Sequence, residues 1–538
     1  MKRLFKLIVF ALLPPVFGQH QTPTLTEPFV NGSIPYSIEI REVSFEPAIL
    51  PNIHSTAAAE WQGQWIILGG RTNGLHGMTG MNAFSPAYEN RDVWVVDPES
   101  KQSWHKSLED SAASGLSQNL VDSLSAVNTQ FYQDESHWMI VGGYGYKRSV
   151  ANHVTYGTIT HIDLPGLVGW VKESPGSESS LAADHIDQIA DNFFQVTGGG
   201  LERIGDEYQL IFGQNYAGSY RPFLSGIYTK QVRRFRIETS NGFQIPEESK
   251  IATTPNDAFR RRDLNVLTIL EREDINVFKE RALVLSGVFT PETGVWTAPV
   301  LIGAGGSVVM DDPLASSTLK QGFQVYHCSK ASLYNRVTNE SHALLFGGIT
   351  VLERNLDTNQ YIRDDQAPFT NQCSLVVRDT NGMIRQYWLP TRFPDIRLNG
   401  KELRFGANAE FFISRDVPTL HPKVIDLAAI RSPTVIGHIF GGIFADAGNN
   451  GSTGASGRVF EVTLVPIANT APLSIVTFPT LELNWEPIAD HTDLIEYSND
   501  ISVWHEFSGS LSGPTKWPIE DPMTARFYRR LSAKPTSP

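Results

Sequence analysis

Trp65-Ile66-Ile67-Leu68-Gly69-Gly70 decides the fold, because the chain repeats it. The later copies are Trp138-Met139-Ile140-Val141-Gly142-Gly143, Gln209-Leu210-Ile211-Phe212-Gly213-Gln214, Ala282-Leu283-Val284-Leu285-Ser286-Gly287, Ala343-Leu344-Leu345-Phe346-Gly347-Gly348 and Gly437-His438-Ile439-Phe440-Gly441-Gly442. Their first glycines fall at 69, 142, 213, 287, 347 and 441. An apolar run this short, closed by glycine, reads as a buried strand rather than a helix. Six copies at long, roughly regular spacing mean an array of like units, each burying its faces against its neighbours.

The first unit shows the rest of the pattern. After Gly70 come a long polar loop, the strand Asp92-Val93-Trp94-Val95-Val96-Asp97, a turn at Pro98, and Trp104. A glycine pair, then an aromatic in the next strand, then a tryptophan after a turn resembles the kelch repeat. The second unit keeps Gly142-Gly143 and Trp170, and the fifth keeps Gly347-Gly348 and Trp388. The sixth keeps its glycine pair alone, and the third and fourth are degenerate. Kelch units run about 50 residues, so these carry loop insertions. The resemblance spans residues 36–468 and implies an all-β, six-bladed propeller of the galactose oxidase-like superfamily. It is similar to long exported kelch-repeat proteins of Bacteroidetes and Verrucomicrobia. Closure requires the first and last blades to share strands. Tyr36-Ser37-Ile38-Glu39-Ile40-Arg41-Glu42-Val43-Ser44-Phe45 alternates apolar and polar residues ahead of the first unit, so it is expected as the outer strand of blade six. A seventh unit hidden in 400–440 is the alternative.

The ends read differently. Lys2, Arg3 and Lys6 precede the apolar run Leu7 to Leu13, and Val16-Phe17-Gly18 offers a cleavage point before Gln19. That is a secretory signal peptide over 1–18, too short to span a bilayer. It places the mature chain outside the inner membrane, periplasmic or extracellular. Residues 474–534 hold short alternating stretches at sandwich spacing. Trp485-Glu486-Pro487, Glu496-Tyr497-Ser498 and Ala525-Arg526-Phe527-Tyr528-Arg529 there resemble a small C-terminal β-sandwich of the fibronectin type III kind, suited to attachment or spacing.

Charge narrows the partners. The chain has 44 basic and 57 acidic residues, a net of −13; without the three basic residues of the leader, 41 against 57 leaves −16. That disfavours nucleic acid and anionic membranes and suits a soluble monomer meeting a glycan or an extracellular protein. Cys328 and Cys373 fall on the first and third strands of blade five. Those strands are not neighbours, so two buried free thiols are expected, with a disulfide as the alternative.

In a propeller the first strand of each blade lines the central channel, so candidate site residues open those strands. They are His54, Asn128, Arg261, Arg262, Asp263, Tyr326 and His327, within a polar ring that also includes Thr129, Gln130, Thr197, Lys330, Asn408 and Glu410. Arginine clamps a carboxylate or sulfate bidentately, and histidine serves hydroxyls or proton transfer. The competing reading is a wet channel in which these groups satisfy the backbone. Strand alternation allows Arg260 with Arg262, or Arg261 with Asp263, to face one way. The loop Arg71-Thr72-Asn73-Gly74-Leu75-His76-Gly77-Met78 is either a lid over the mouth or a plain insertion. Tyr144 and Tyr146 in the equivalent place offer sugar stacking or packing.

No cofactor or metal is expected. Helical His pairs, paired cysteines and calcium loops are absent from the sequence. The copper site of galactose oxidase would need a cysteine from an early blade, and none precedes Cys328. The resemblance therefore leaves two functions: binding a ligand or protein, carbohydrate included, at the channel mouth; or a metal-independent epimerase or lyase on an acidic sugar, like the kelch-type sialic acid mutarotase.

Overall fold

A computed structural model describes residues 34–467, apart from short loops at 77–80, 175, 177–178, 222–225, 241, 275–276 and 292–293, together with the backbone of several strands after 480. The predicted leader, residues 1–18, lies outside the described residues.

Residues 34–467 form six blades. Blade one is Ala57–Trp61, Gln64–Leu68, Asp92–Asp97 and Gln102–Ser107, each strand antiparallel to the next. Blades two, three and four repeat the order from the inner strands Gln130–Asp134, Gly200–Ile204 and Asn265–Asp274. Blade five starts at Ser329–Asn335. Blade six is Arg404–Ile413, Thr434–Ala445 and Val459–Pro466, completed by Tyr36–Val43 from the front of the chain. That last pairing runs in register from Tyr36 opposite Pro466 to Val43 opposite Val459. Eight residue pairs join the two ends of the domain, as the alternation from Tyr36 to Phe45 predicts, the strand ending two residues sooner at Val43.

The stretch 400–440 holds no seventh blade. Its middle, Thr419–His421 and Val424–Asp426, leaves blade six as a small hairpin, and Val424–Asp426 adds in parallel to the inner strand of blade five. Cys328 and Cys373 are free and buried.

The glycine pairs stand where neighbouring blades meet. A Cβ on Gly142 would lie 2.0 Å from the carbonyl oxygen of Val196, and φ there is +62°, so both space and conformation demand glycine. The following amide donates to the same oxygen: Gly143 N to Val196 O, 2.8 Å. Gly70 N to Ala126 O (3.1 Å) and Gly442 N to Ile53 O (2.8 Å) repeat the bond. The degenerate copies keep the geometry with other residues. In blade three the pair is Phe212-Gly213, one residue earlier than the sequence pattern suggests; Phe212 takes φ +53° and Gly213 N donates to Arg261 O at 2.9 Å. In blade four Ser286 takes φ +52° and its hydroxyl donates to Val325 O at 2.8 Å, a side chain making the bond to the neighbouring blade.

Trp104 and Trp388 lie on the fourth strands of their blades, as the repeat pattern predicts. Trp170 does not. It sits on the helix Leu164–Lys172, inserted before the fourth strand of blade two, fully buried, with Nε1 donating to Ala113 O at 3.0 Å. Pro165 in the first turn and the Asp163 carboxylate accepting from Gly166 N start that helix where a strand continuation was expected.

Across the axis the blades share a closed ring of backbone hydrogen bonds. Ser55 N donates to Asn408 O (3.2 Å), Asn408 N to His327 O (3.1 Å), His327 N to Asp263 O (3.0 Å), Asp263 N to Gly198 O (2.7 Å), Gly198 N to Asn128 O (3.0 Å) and Asn128 N to Ser55 O (3.3 Å). One residue from each blade takes part, so the ring closes only for six. It divides the channel into an upper chamber, toward the glycine pairs, and a lower chamber, toward the hairpin turns of the inner strands.

The C-terminal unit contains the antiparallel sheet His505–Leu511, Thr492–Ser498, Phe527–Ala533 and the ladder Leu481–Leu483 with Thr515–Trp517. The start of the expected sandwich, residues 474–480, lies outside the described residues. Among the described residues no helix is long and apolar enough to cross a membrane.

Candidate functional site

Five of the seven predicted residues come together in the upper chamber: His54, Asn128, Arg262, Asp263 and Tyr326. The chamber is small, about 60 Å³. Its polar wall comes mainly from blades one to four, with Tyr326 ahead of blade five and Asn408 of blade six, while Ile349, Ala407 and Ile443 are apolar lining.

Asp263 organises the polar wall. Its φ of +50° turns the chain so that Arg262 and Asp263 line the same space, which strand alternation forbids. Tyr326 donates its hydroxyl to one carboxylate oxygen at 2.8 Å, and Asn128 donates from Nδ2 to the other at 3.3 Å. The Arg262 Nε lies 3.4 Å from Asp263 Oδ2 and the guanidinium 5.3 Å from the Phe289 ring centre. Burial opposes the Arg262 charge, but Asp263 and the nearby tyrosines outweigh it and hold its pKa above the ordinary range. Burial first, and then Asp263, push the Tyr326 hydroxyl well above its usual value.

Arg71 is the second cation and was expected only as a loop residue. It is 2 % exposed. Nε donates to Asn73 Oδ1 (3.0 Å) and Nη1 to Ser85 O (3.4 Å), while Nη2 is buried and has no hydrogen-bond partner among the described residues. Burial pulls its pKa down to about 10, against the pull of Glu89, so it is charged at neutral pH. His54 binds Ser55 Oγ through Nδ1 at 2.9 Å; burial, then the Arg71 charge, depress its pKa to about 3, so it is a neutral imidazole.

Leu75, His76 and Phe84, from the described part of the loop after Gly70, line this chamber. His76 stacks on Phe84 (ring centres 4.7 Å apart), Phe84 meets Tyr144 edge-on at 5.1 Å, and the Arg71 guanidinium lies 5.1 Å from the Phe84 ring centre. Leu75 N donates to Thr453 Oγ1 at 2.9 Å, fastening the loop to blade six. Tyr144 both packs and lines the cavity, with Tyr216 and Tyr220 beside it.

Two predicted residues lie elsewhere. Arg261 faces neither chamber. It is fully buried, with Nη1 donating to Ala298 O (2.8 Å) and Ser286 O (3.3 Å), Nε to Ala258 O (3.0 Å), and its charge 4.9 Å from the Trp296 ring centre. It is a structural strut, not a ligand clamp. His327 lines the lower chamber, where Lys330 Nζ meets its Nε2 at 2.9 Å.

Missed by sequence reasoning were Arg71 and Gln214, whereas Asn408, expected to open the inner strand of blade six, does line the chamber. A signal existed for both. The residue after each glycine step pairs with a residue just ahead of the ring: Arg71 with His54, Tyr144 with Val127, Gln214 with Thr197. That position therefore faces the axis in every blade where the pattern is kept.

No family model matches the chain, and no curated protein matches it. Among solved structures, one titled "Structure of YjhT" is similar at 9 % identity, covering 78 % of this chain and 99 % of that one, with a TM-score of 0.39. The chain is a six-bladed β-propeller.

Proposed function

We propose that the upper chamber binds the carboxylate end of a small acidic carbohydrate. The observation that carries this is Arg71: a buried guanidinium with a free donor, facing the same cavity as Arg262. A carboxylate satisfies such donors in paired, charge-assisted bonds. The cavity has room for the carboxylate and its neighbouring carbons, with the rest of the sugar at the mouth against Tyr216 and Tyr220. Calorimetric titration with glucuronate and galacturonate tests it, with neutral sugars as comparison. Acidic sugars are expected to bind, and Arg71→Met to weaken them about tenfold or more, the loss of a charge-assisted bond. Absence of binding by folded wild-type chain removes the carbohydrate reading and leaves an extracellular protein as the ligand.

A second reading is the metal-independent epimerase or lyase on an acidic sugar. The Tyr326–Asp263 pair favours it: an acid and a base at 2.8 Å in the upper chamber. Deuterium uptake from solvent into a bound uronate, followed by NMR, separates turnover from binding. The kelch-type assignment rests on the glycine pairs with Trp104 and Trp388. Export, with cleavage before Gln19, is checked by the N-terminal mass of the secreted chain, and a monomer by sedimentation. The C-terminal unit fits a fibronectin type III-like spacer.

A further inference from the structure

Below the ring the channel widens to about 220 Å³. Its wall is the next stretch of the same inner strands, including Thr129 and Gln130 of blade two, Lys330 of blade five and Glu410 of blade six. Three oxygens there are buried and have no hydrogen-bond partner among the described residues: Thr129 Oγ1, Gln130 Oε1 and Glu410 Oε1. Gln130 is 1 % exposed and its amide nitrogen is already bound to Asn128 O at 2.5 Å. Buried acceptors left unpaired cost about 1–3 kcal/mol each, so this wall suits a guest that brings donors.

The charges say which kind of donor. Lys330 Nζ, held by His327 Nε2 (2.9 Å) and Cys328 O (3.5 Å), acts on Glu410. Lys423, carried in by the hairpin that blade six lends to blade five, binds Glu202 Oε2 at 2.9 Å, and Thr268 Oγ1 donates to the same oxygen at 2.8 Å. Two lysines face two glutamates, and burial works against the charges of both Glu410 and Lys330. A cationic guest meets Lys330 and an anionic one meets Glu410, so a neutral guest with hydroxyl donors remains. Phe131 and Phe411 stand where the chamber joins a wider groove of about 670 Å³, lined by Trp61 and Tyr132. Aromatic faces at that junction suit the C–H side of a sugar ring.

We propose that the lower chamber is a second ligand site, which takes a neutral monosaccharide or the terminal residue of a neutral glycan entering from the end of the channel opposite the acidic site. The closed backbone ring keeps the two sites separate. Burial raises Glu410 to about 7, against the pull of Lys330 and Lys423, so near neutrality it serves a hydroxyl as acceptor or donor. This site does not depend on the upper one.

The test is saturation-transfer NMR and calorimetry of the full chain with glucose, galactose and mannose. At least one is expected to bind wild type and Arg71→Met alike, and to bind Glu410→Gln and Thr129→Val about tenfold more weakly, one good hydrogen bond lost in each. Thr129→Val removes a single hydroxyl and carries the test if Glu410→Gln fails to fold. Failure of all three sugars to bind, or binding lost in Arg71→Met but kept in Thr129→Val, overturns the proposal.

Discussion

Arg261→Met separates a structural arginine from a ligand clamp. The wild-type side chain supplies donors to the carbonyls of Ala258 and Ala298 at 3.0 and 2.8 Å, and a longer one to Ser286 at 3.3 Å. Methionine fills most of the volume but leaves those carbonyls sealed from water. Two well-bonded carbonyls left unpaired cost about 1–3 kcal/mol each. Against this, burial disfavours the charge enough to pull its pKa down to about 9, and removing the charge recovers part of that cost. The net loss expected is about 2–3 kcal/mol, whereas an arginine at an open mouth would change stability by about 0.5 kcal/mol or less. Urea unfolding followed by tryptophan fluorescence reads the loss, and a uronate titration normalised to folded protein reads the site. A midpoint equal to wild type, with uronate affinity gone, would refute the reasoning.

Other expectations follow from the blade contacts and buried charges. Gly142→Ala forces a Cβ to 2.0 Å from a backbone oxygen and should prevent folding of soluble chain; Gly218→Ala, at φ +81° with nothing nearby, should cost about 1 kcal/mol, so equal expression and melting of the two would contradict the blade-contact account. Deleting Tyr36–Val43 removes eight paired residues from blade six and should turn one cooperative unfolding transition into a broad, earlier one in calorimetry. Glu410 and Glu89 are both raised to about 7, each chiefly by burial. The folded state then keeps protons that the unfolded chain has released, so stability falls as pH rises from about 4.5 to about 7, by roughly 3 kcal/mol for each group. Glu410→Gln should remove about half of that slope in urea midpoints taken from pH 4.5 to 8; an unchanged slope would show that Glu410 does not titrate there.

The fold was legible because the demand on each blade contact is severe. A backbone oxygen close behind the strand end admits glycine and little else, and that constraint is written as a repeated pair. Where a blade met the demand differently, as with Phe212-Gly213 and Ser286, the pattern blurred and the register slipped by a residue. The closing strand was legible because Tyr36–Val43 buries one face. Trp170 misled because a tryptophan at the right distance along the chain says nothing of the helix inserted to carry it. The site was half legible. Inner-strand openings gave His54, Asn128, Asp263 and Tyr326, but choosing between Arg261 and Arg262 required knowing that Asp263 has positive φ, which breaks the alternation. Arg71 stayed hidden because its role depends on a ladder partner, His54, seventeen positions away.

The ring on the axis has a consequence for how such a protein changes over time. Its bonds use only amides and carbonyls, and the six positions are occupied by Ser55, Asn128, Gly198, Asp263, His327 and Asn408. Four side-chain chemistries and a glycine perform one backbone task. Selection can therefore rewrite what the axis presents to a visiting molecule, one blade at a time, while the scaffold's count and closure stay fixed.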